Sequence, residues 1–480
     1  MHPSAEPPLY LKLADKIEEM IGIGLFRPGD RIPSVRQTSI QHQVSVPTVL
    51  QAYTLLEDRR LIEARPKSGF YVRSLLTSSL QLPSTSRKVP HAKSLSKFPP
   101  LMALVHDVVN PDFVKMGGAH PSAELLPGQK LSRIMASLSR SNTRSAITCD
   151  PAPGCSRLRM ELSRRSLDWG CYLTPDDFII TNGATEALHV ALSAITKPGD
   201  TIILESPTHY GVLNILSHLG LRAIAIPASP SEGLDIAATR KALAREKVAA
   251  IVVVPNFSNP LGSFMPEANR AELVELAAEH GIPIVEDDVY GDLPFEGERP
   301  RCLKALDKTG SVILCGSFSK TLAPGYRVGY VSAGRYHDKI IPIKTALNLC
   351  NTPLMALTVA EFLRNGGYEH HLRTMRRIFR EQVSRMREAL AAALPGEIKI
   401  TDPKGGFVLW VELPAQVDAL VLFHEARKLK ISIAPGHLFS PSAEFKNYIR
   451  ISCGHIWNPR IEQAVATLGE LVTAELRSAL

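Results

Sequence analysis

The sequence predicts two folded units of different class: a small N-terminal unit of three helices and a β-hairpin, and a large α/β domain whose sheet is mainly parallel. Three observations carry this. Residues 1–74 hold three helical patterns and two short strand patterns. Residues 75–110 turn rich in Ser, Pro and Lys, a composition that buries no core. From about Pro111 onward, short apolar runs alternate with helix-length segments, the pattern of a sheet covered by helices.

At 480 residues the chain is too long for one ordinary domain, and 45% hydrophobic against 21% charged residues suits a sizeable core. No apolar run reaches membrane-spanning length and no basic-then-apolar leader follows Met1, so no membrane partner and a cytoplasmic location are expected. Seven scattered cysteines without CxxC pairs favour free thiols over disulfides or zinc. A net charge of +8 permits nucleic-acid binding without demonstrating it.

In the first unit, Leu9, Leu13, Ile17, Met20 and Ile21 recur at helical spacing, closed by Gly22 and Gly24. Pro28-Gly29-Asp30 makes a turn, and Ser34 caps a short second helix. Ser45 caps a third, with Pro47 in its first turn and Val49, Ala52, Tyr53 and Leu56 facing inward. Leu61-Ile62-Glu63-Ala64 and Phe70-Tyr71-Val72 read as strands around Pro66-Lys67-Ser68-Gly69. Three helices and a hairpin describe a winged helix-turn-helix, although the pattern alone also fits a generic small helical domain.

The segments running from Arg27 to Arg36, from Val44 to Val49 and from Leu61 to Val72 resemble the GntR-type winged helix of bacterial transcription factors. The resemblance implies double-stranded DNA as partner. The helix after Ser45 then enters the major groove, Arg36, Ser45 and Thr48 touch phosphate or bases, and Lys67 and Gly69 lie on the minor groove or backbone. Three positions depart from the family: Thr38-Ser39 replace an apolar pair, Arg60 replaces a glycine, and Val46 stands where a basic residue is common. With ten Lys and Arg against eight Asp and Glu in residues 1–75, few direct basic contacts are expected, and Val46 is suited to thymine methyl groups. Residues 75–110 are expected to be a flexible, solvated tether, with Arg87, Lys88, Lys93 and Lys97 available to the DNA backbone.

In residues 111–480, Asp177-Phe178-Ile179-Ile180-Thr181, Thr201-Ile202-Ile203-Leu204, Ala250-Ile251-Val252-Val253-Val254, Ile282-Pro283-Ile284-Val285 and Val312-Ile313-Leu314-Cys315 read as buried strands. A second, smaller lobe is expected mainly over 335–480. Ligands bind such sheets at the carboxyl ends of strands, and unusual residues fall there. Gly183-Ala184-Thr185 lies between strand and helix, either a plain turn or a phosphate site. Asn259-Pro260 is either a simple turn or a donor to a ring oxygen. Glu286-Asp287-Asp288 ends a strand in three acids, which is costly unless a cation is near; a protonated pyridine nitrogen or a metal are the two readings, and nothing at ligand spacing supports the metal. Ser317-Phe318-Ser319-Lys320-Thr321 is either a Ser-rich loop or the site of an amine made nucleophilic by burial and by Arg327.

Taken in order, these motifs resemble the fold-type I aminotransferases that use pyridoxal 5′-phosphate, over nearly all of residues 115–480. The resemblance implies Lys320 as the catalytic lysine that forms a Schiff base with the cofactor. It assigns Asp287 to the ring nitrogen, Tyr290 and Asn259 to the ring hydroxyl, and Gly183, Ala184, Thr185, Ser317, Ser319 and Arg327 to the phosphate. Arg450 falls where the family binds a substrate carboxylate. The ring-stacking aromatic is replaced by His209, with Tyr210 beside it, and a tyrosine that reaches the neighbouring subunit's phosphate is replaced by Thr148.

Head, linker and body together resemble the MocR subfamily of regulators. The implied protein is a head-to-tail homodimer that senses the cofactor or an amino compound; the alternative is a working aminotransferase that carries a DNA-binding domain.

Overall fold

The structure, a computed structural model, describes residues 8–478 apart from 23–24, 27–28, 60, 66–67, 73–79, 86–89, 95–98, 366 and 443. Gly24, Arg60, Lys67, Arg87, Lys88 and Lys97, named above, therefore lie outside the described residues. The chain divides into two compact units, one of Met1–Leu80 with Ser384–Ala392 and one of Gln81–Val383 with Ala393–Leu480.

In the first unit, α1 (Leu9–Gly22), α2 (Val35–His42) and α3 (Val46–Asp58) precede an antiparallel hairpin of β1 (Ile62–Arg65) and β2 (Gly69–Val72). Val49, Ala52, Tyr53 and Leu56 of α3 are buried with Leu13, Ala14 and Ile17 of α1, while Leu9, the first residue of α1, stays exposed. Ser34 and Gln37 form a reciprocal capping box on α2, and the Ser45 hydroxyl accepts from the Thr48 amide at 3.3 Å. The polar pair Thr38-Ser39 is satisfied internally. Thr38 Oγ1 lies 2.7 Å from the Tyr53 hydroxyl, which donates to the Pro33 carbonyl at 2.7 Å, and Ser39 Oγ donates to the Val44 carbonyl at 2.6 Å. Hydroxyls in this way do by hydrogen bonding what an apolar pair does by packing.

The second unit is organised by a nine-stranded sheet. Its strands are β3 (Lys93–Ser94), β5 (Phe178–Thr181), β6 (Thr201–Ser206), β7 (Arg222–Ser229), β8 (Ala250–Val253), β9 (Ile284–Asp287), β10 (Val312–Ser317) and β11 (Gly329–Ser332); Gly233–Leu234 pairs off the main path. Laterally they run β3-β7-β6-β8-β9-β10-β11-β5, and on that path only β3 and β11 oppose the common direction. Strand faces alternate: Val285 and Ile313 join one core cluster with the helix α5 (Ala184–Ile195), and Ile284 and Val312 join another on the opposite face. The smaller lobe carries an antiparallel sheet that includes β12 (Val408–Glu412) and β14 (Tyr448–Ser452).

The expected tether over 75–110 is corrected by the described residues within it. Ile400 N donates to the Gln81 carbonyl, and Ser84 bonds Glu412 through N (2.6 Å) and Oγ (3.2 Å). Lys93–Ser94 pairs with β7, and α4 (Pro99–Val109) buries Leu104 and Asp107. Asp107 pays for its burial through a bidentate contact to Arg427, at 2.6 and 3.0 Å. Serine and proline content concealed these partners because they lie some 300 residues away in sequence.

Tyr53→Phe leaves the Pro33 carbonyl and the Thr38 hydroxyl without their buried partner. The first unit should lose about 1–3 kcal/mol, read as a lower urea midpoint for its unfolding. An unchanged midpoint would show that the hydroxyl pair is not structural.

Candidate functional site

The expected site residues come together because five parallel strands and their loops end on one edge. Gly183 follows β5 and caps α5, His209 follows β6, Asn259 sits in the loop after β8, Asp287 ends β9, and Lys320 follows β10. Arg327 precedes the reversed β11 and so arrives from the same edge.

The phosphate-site candidates form a tight cup. Gly183 has φ 81°, and a Cβ there would run into the Arg327 guanidinium, which lies directly against the turn. Arg327 itself adopts φ 52°, an uncommon left-handed conformation of the kind that recurs at functional sites. Its Nη1 donates to Ser319 Oγ at 3.1 Å and its Nη2 to the Asn182 carbonyl at 3.0 Å. Ser317 Oγ in turn donates to Ser319 Oγ at 2.9 Å and accepts the Ser319 amide at 3.1 Å. Gly329 closes the cup: a Cβ there would lie 2.6 Å from the Gly183 carbonyl carbon. Ala184 and Thr185 are the first two residues of α5, where N–H groups lack helical partners.

The three consecutive acids have three different surroundings. Glu286 shares the face of Ile284 and accepts the amides of Leu303 and Lys304 at 2.8 and 3.0 Å. Asp288 accepts from Asn256 Nδ2 at 2.8 Å and pairs with the buried Arg299. Asp287 alone points to the site, and its Oδ1 is buried without a hydrogen-bond partner. Burial, reinforced by Asp288, pushes its carboxyl up to about 7 against the pull of Lys320. Asn259 Oδ1 and the Tyr290 hydroxyl are also buried without partners, and burial raises the Tyr290 phenol. Such groups are costly unless a ligand meets them. An N–H on Asp287 and a ring hydroxyl between Asn259 and Tyr290 are what a pyridoxine ring brings, so the residues present fit that group.

Lys320 is half-buried, 6.0 Å from the Tyr290 ring centroid, and its Nζ donates to the Ala119 carbonyl at 2.7 Å. Burial and then Arg450 push its amine down to about 8, opposed by Asp287. Arg450 lies fully buried on β14; its Nη2 donates to the Gly117 carbonyl, while Nε and Nη1 have no partner. A buried guanidinium with free donors calls for an anion. Burial, with Lys320 and Arg450 in reach, lowers His209 to about 3, whereas the Tyr210 ring turns to Phe439, with centroids 5.6 Å apart. Thr148 is exposed, its hydroxyl donating to the Arg144 carbonyl.

On the first unit, Arg36, Ser45 and Val46 are exposed, and Thr48 is half-buried. Ser45 Oγ is committed to its cap on Thr48, Pro47 has no N–H and the Val49 amide bonds the Ser45 carbonyl, so Val46 N–H is the first-turn amide of α3 left for a phosphate. Gly69 begins β2 with φ 111°, and a Cβ there would lie 3.1 Å from Arg31 Nε. Arg31, given no role from sequence, thus lies over the hairpin, where residues 30–32 bond β2. Asn351 was missed as well; its Nδ2 donates to Asn182 Oδ1 at 2.8 Å, steadying the carbonyl side of the cup. Neither residue has a local sequence signal.

Residues 157–468 match the family described as aminotransferase class I and II, and residues 9–72 match the bacterial regulatory proteins of the gntR family. The chain is 37% identical to the uncharacterized HTH-type transcriptional regulator YjiR of Escherichia coli, over 96% of this chain and 98% of that one. It is 30% identical to the 2-aminoadipate transaminase of Thermus thermophilus, over 75% of this chain and 90% of that one. Among solved structures it is similar to the alpha-aminoadipate aminotransferase LysN of Thermus thermophilus, complexed with N-(5′-phosphopyridoxyl)-L-leucine. That likeness has a TM-score of 0.73 and 29% identity, covering 78% of this chain and 95% of that one.

Competitive labelling of amines should give Lys320 a titration midpoint near 8. Arg450→Met, by removing a neighbouring positive charge, should raise that midpoint. A Lys320 midpoint near 10.4, as for an unperturbed lysine, would contradict a desolvated amine beside Arg450.

Proposed function

Since the chain belongs to the aminotransferase class I and II family and, through its GntR-family head, to the MocR subfamily of regulators, we propose that it is a DNA-binding transcription regulator whose second unit holds pyridoxal 5′-phosphate on Lys320 and senses an amino compound there. The observation that carries this reading is the set of buried, unpartnered polar atoms around Lys320: Asp287 Oδ1, Asn259 Oδ1, Tyr290 Oη, and Arg450 Nε and Nη1. A scaffold would have no use for them.

The cofactor supplies an aldehyde and an electron-withdrawing ring. The chain supplies the rest. Lys320, its amine pushed down to about 8, offers a useful neutral fraction near neutral pH and is placed to move a proton at the amino compound's Cα. Asp287 holds a proton on the ring nitrogen, and Asn259 and Tyr290 orient the ring hydroxyl. Gly183, Ala184, Thr185, Ser317, Ser319 and Arg327 bind phosphate. His209, kept neutral, covers the ring face, with Tyr210 at its side towards Phe439. Arg450 takes the carboxylate of an amino acid effector in a bidentate fork.

On the first unit, Arg36, Ser45, Thr48, Lys67 and Gly69 meet promoter DNA, with α3 in the major groove and the hairpin on the adjacent backbone. Two copies pair head-to-tail in the cytoplasm. Thr148, short and bonded to its own turn, is a poor substitute for a phosphate-reaching tyrosine, which favours sensing over fast turnover. The second reading, a working aminotransferase, is favoured by the presence together of Lys320, Asp287, Arg327 and Arg450.

Reduction with borohydride followed by peptide mapping should put a phosphopyridoxyl group on Lys320; protein that stays colourless with added pyridoxal phosphate overturns the reading. Across a panel of amino acids, a single stoichiometric spectral change that alters DNA affinity is the regulator's result, and repeated keto-acid production without such a change is the enzyme's. Arg36→Ala should weaken DNA binding about tenfold or more, the worth of a charged hydrogen bond, and leave the cofactor spectrum intact.

A further inference from the structure

One short segment holds two of the site's cations. Lys320 Nζ donates to the Ala119 carbonyl and Arg450 Nη2 to the Gly117 carbonyl, two residues apart in the chain. Each cation has work elsewhere in the proposed function, Lys320 at the cofactor and then at Cα, Arg450 at a carboxylate. A neutral carbonyl is the weaker partner for a guanidinium, since a charged acceptor makes a bond roughly twice as strong. Exchange of partners therefore runs towards the ligand.

The same segment is wedged against α4. A Cβ on Gly117 would lie 2.7 Å from Leu104 Cδ1 and 2.5 Å from Ser432 Oγ, and one on Gly118 would lie 2.6 Å from Val108 Cγ2. Leu104 and Val108 are one turn apart on α4, so both glycines meet one face of that helix. Just upstream, β4 (Val114–Lys115) pairs in parallel with β13 (Ile431–Ser432), and the Met116 carbonyl accepts the Ser452 amide at 2.8 Å. These contacts fix the upstream end and the Ser122 amide, donating to the Gly454 carbonyl at 2.8 Å, fixes the downstream end, while the cations hold the carbonyls of Gly117 and Ala119 between them. In sequence, α4 is the first helix after the DNA-binding unit and the connecting stretch.

We propose that residues 117–119 are a ligand-released strap: cofactor and carboxylate together draw Lys320 and Arg450 off the strap carbonyls, the strap loosens, and its grip on α4 relaxes. This rests on the reading of Lys320 and Arg450 given above and adds the route by which occupancy reaches the start of the second unit. Coupling requires that the ligand favour one arrangement energetically, and here the difference lies in who accepts the two cations' hydrogen bonds. Cofactor alone leaves the Arg450 anchor in place.

Hydrogen exchange of the full chain, read by mass spectrometry, tests this with no addition, with pyridoxal phosphate, and with N-(5′-phosphopyridoxyl)-L-leucine, which carries ring, phosphate and carboxylate together. Both additions should slow exchange over 183–187 and 317–327. Only the leucine adduct should speed exchange over 99–109 and 117–122, by at least about threefold, as expected for local release. In Arg450→Met, pyridoxal phosphate alone should already produce that increase. In Gly118→Ala, where the added methyl parts strap from α4, exchange over 99–109 should be fast without ligand and insensitive to the adduct. Unchanged or slower exchange over 117–122 with the adduct, while the phosphate cup is protected, overturns the strap and leaves the cofactor reading standing. Absence of protection at the cup with both additions overturns the cofactor reading and the strap with it.

Discussion

A carboxyl oxygen sealed in a sheet without a hydrogen-bond partner is costly for a folded chain to hold, and Asp287 Oδ1 is such an atom. The surrounding structure keeps it in that condition. Its neighbours Glu286 and Asp288 are each satisfied, one by backbone amides and one by Arg299 and Asn256, so neither competes for a ligand on its side. Glu205, at the end of β6, adds a second buried acid pushed up to about 8 by burial, with Oε1 unpartnered and Oε2 on the Val254 amide. The floor of the site is thus acidic and poorly solvated, and the rim carries Lys320, Arg450 and Arg327. A ring with a protonated nitrogen at one end and anionic groups at the other matches that polarity.

Burial and the cationic rim together explain the imidazoles. His209 and His120 both fall to about 3, His209 mainly through burial and His120 mainly through Lys320. They stay uncharged across the physiological range, so they can lie against a ring or accept a hydrogen bond without adding to an already cationic rim.

Much of this was legible in sequence because parallel strands deliver their C-terminal residues to one edge, and motifs such as Asn259-Pro260, Glu286-Asp287-Asp288 and Ser317-x-x-Lys320 follow recognisable apolar runs. The inner face of α3 was legible for the same reason, a clean helical period. What escaped is what periodicity cannot encode. The carbonyls of Gly117 and Ala119 belong to no side chain and leave no signature. The pairing of Asp107 with Arg427, and of Ser84 with Glu412, spans most of the second unit, so a stretch that reads as solvated by composition is in part built into the body. Thr38 looked like a defect in an apolar pair because its partner, the Tyr53 hydroxyl, was counted only as part of a core ring.

The position of α4 in the chain has an evolutionary side. Because the segment bonded to Lys320 and Arg450 is wedged against α4, the proposed strap lies wholly within the second unit and makes no demand on the kind of domain that precedes it. On the strap proposal, an ancestral enzyme body of this kind would acquire regulation by simple gene fusion: a module joined ahead of the second unit would inherit an input from the site, with no new contact surface having to evolve first.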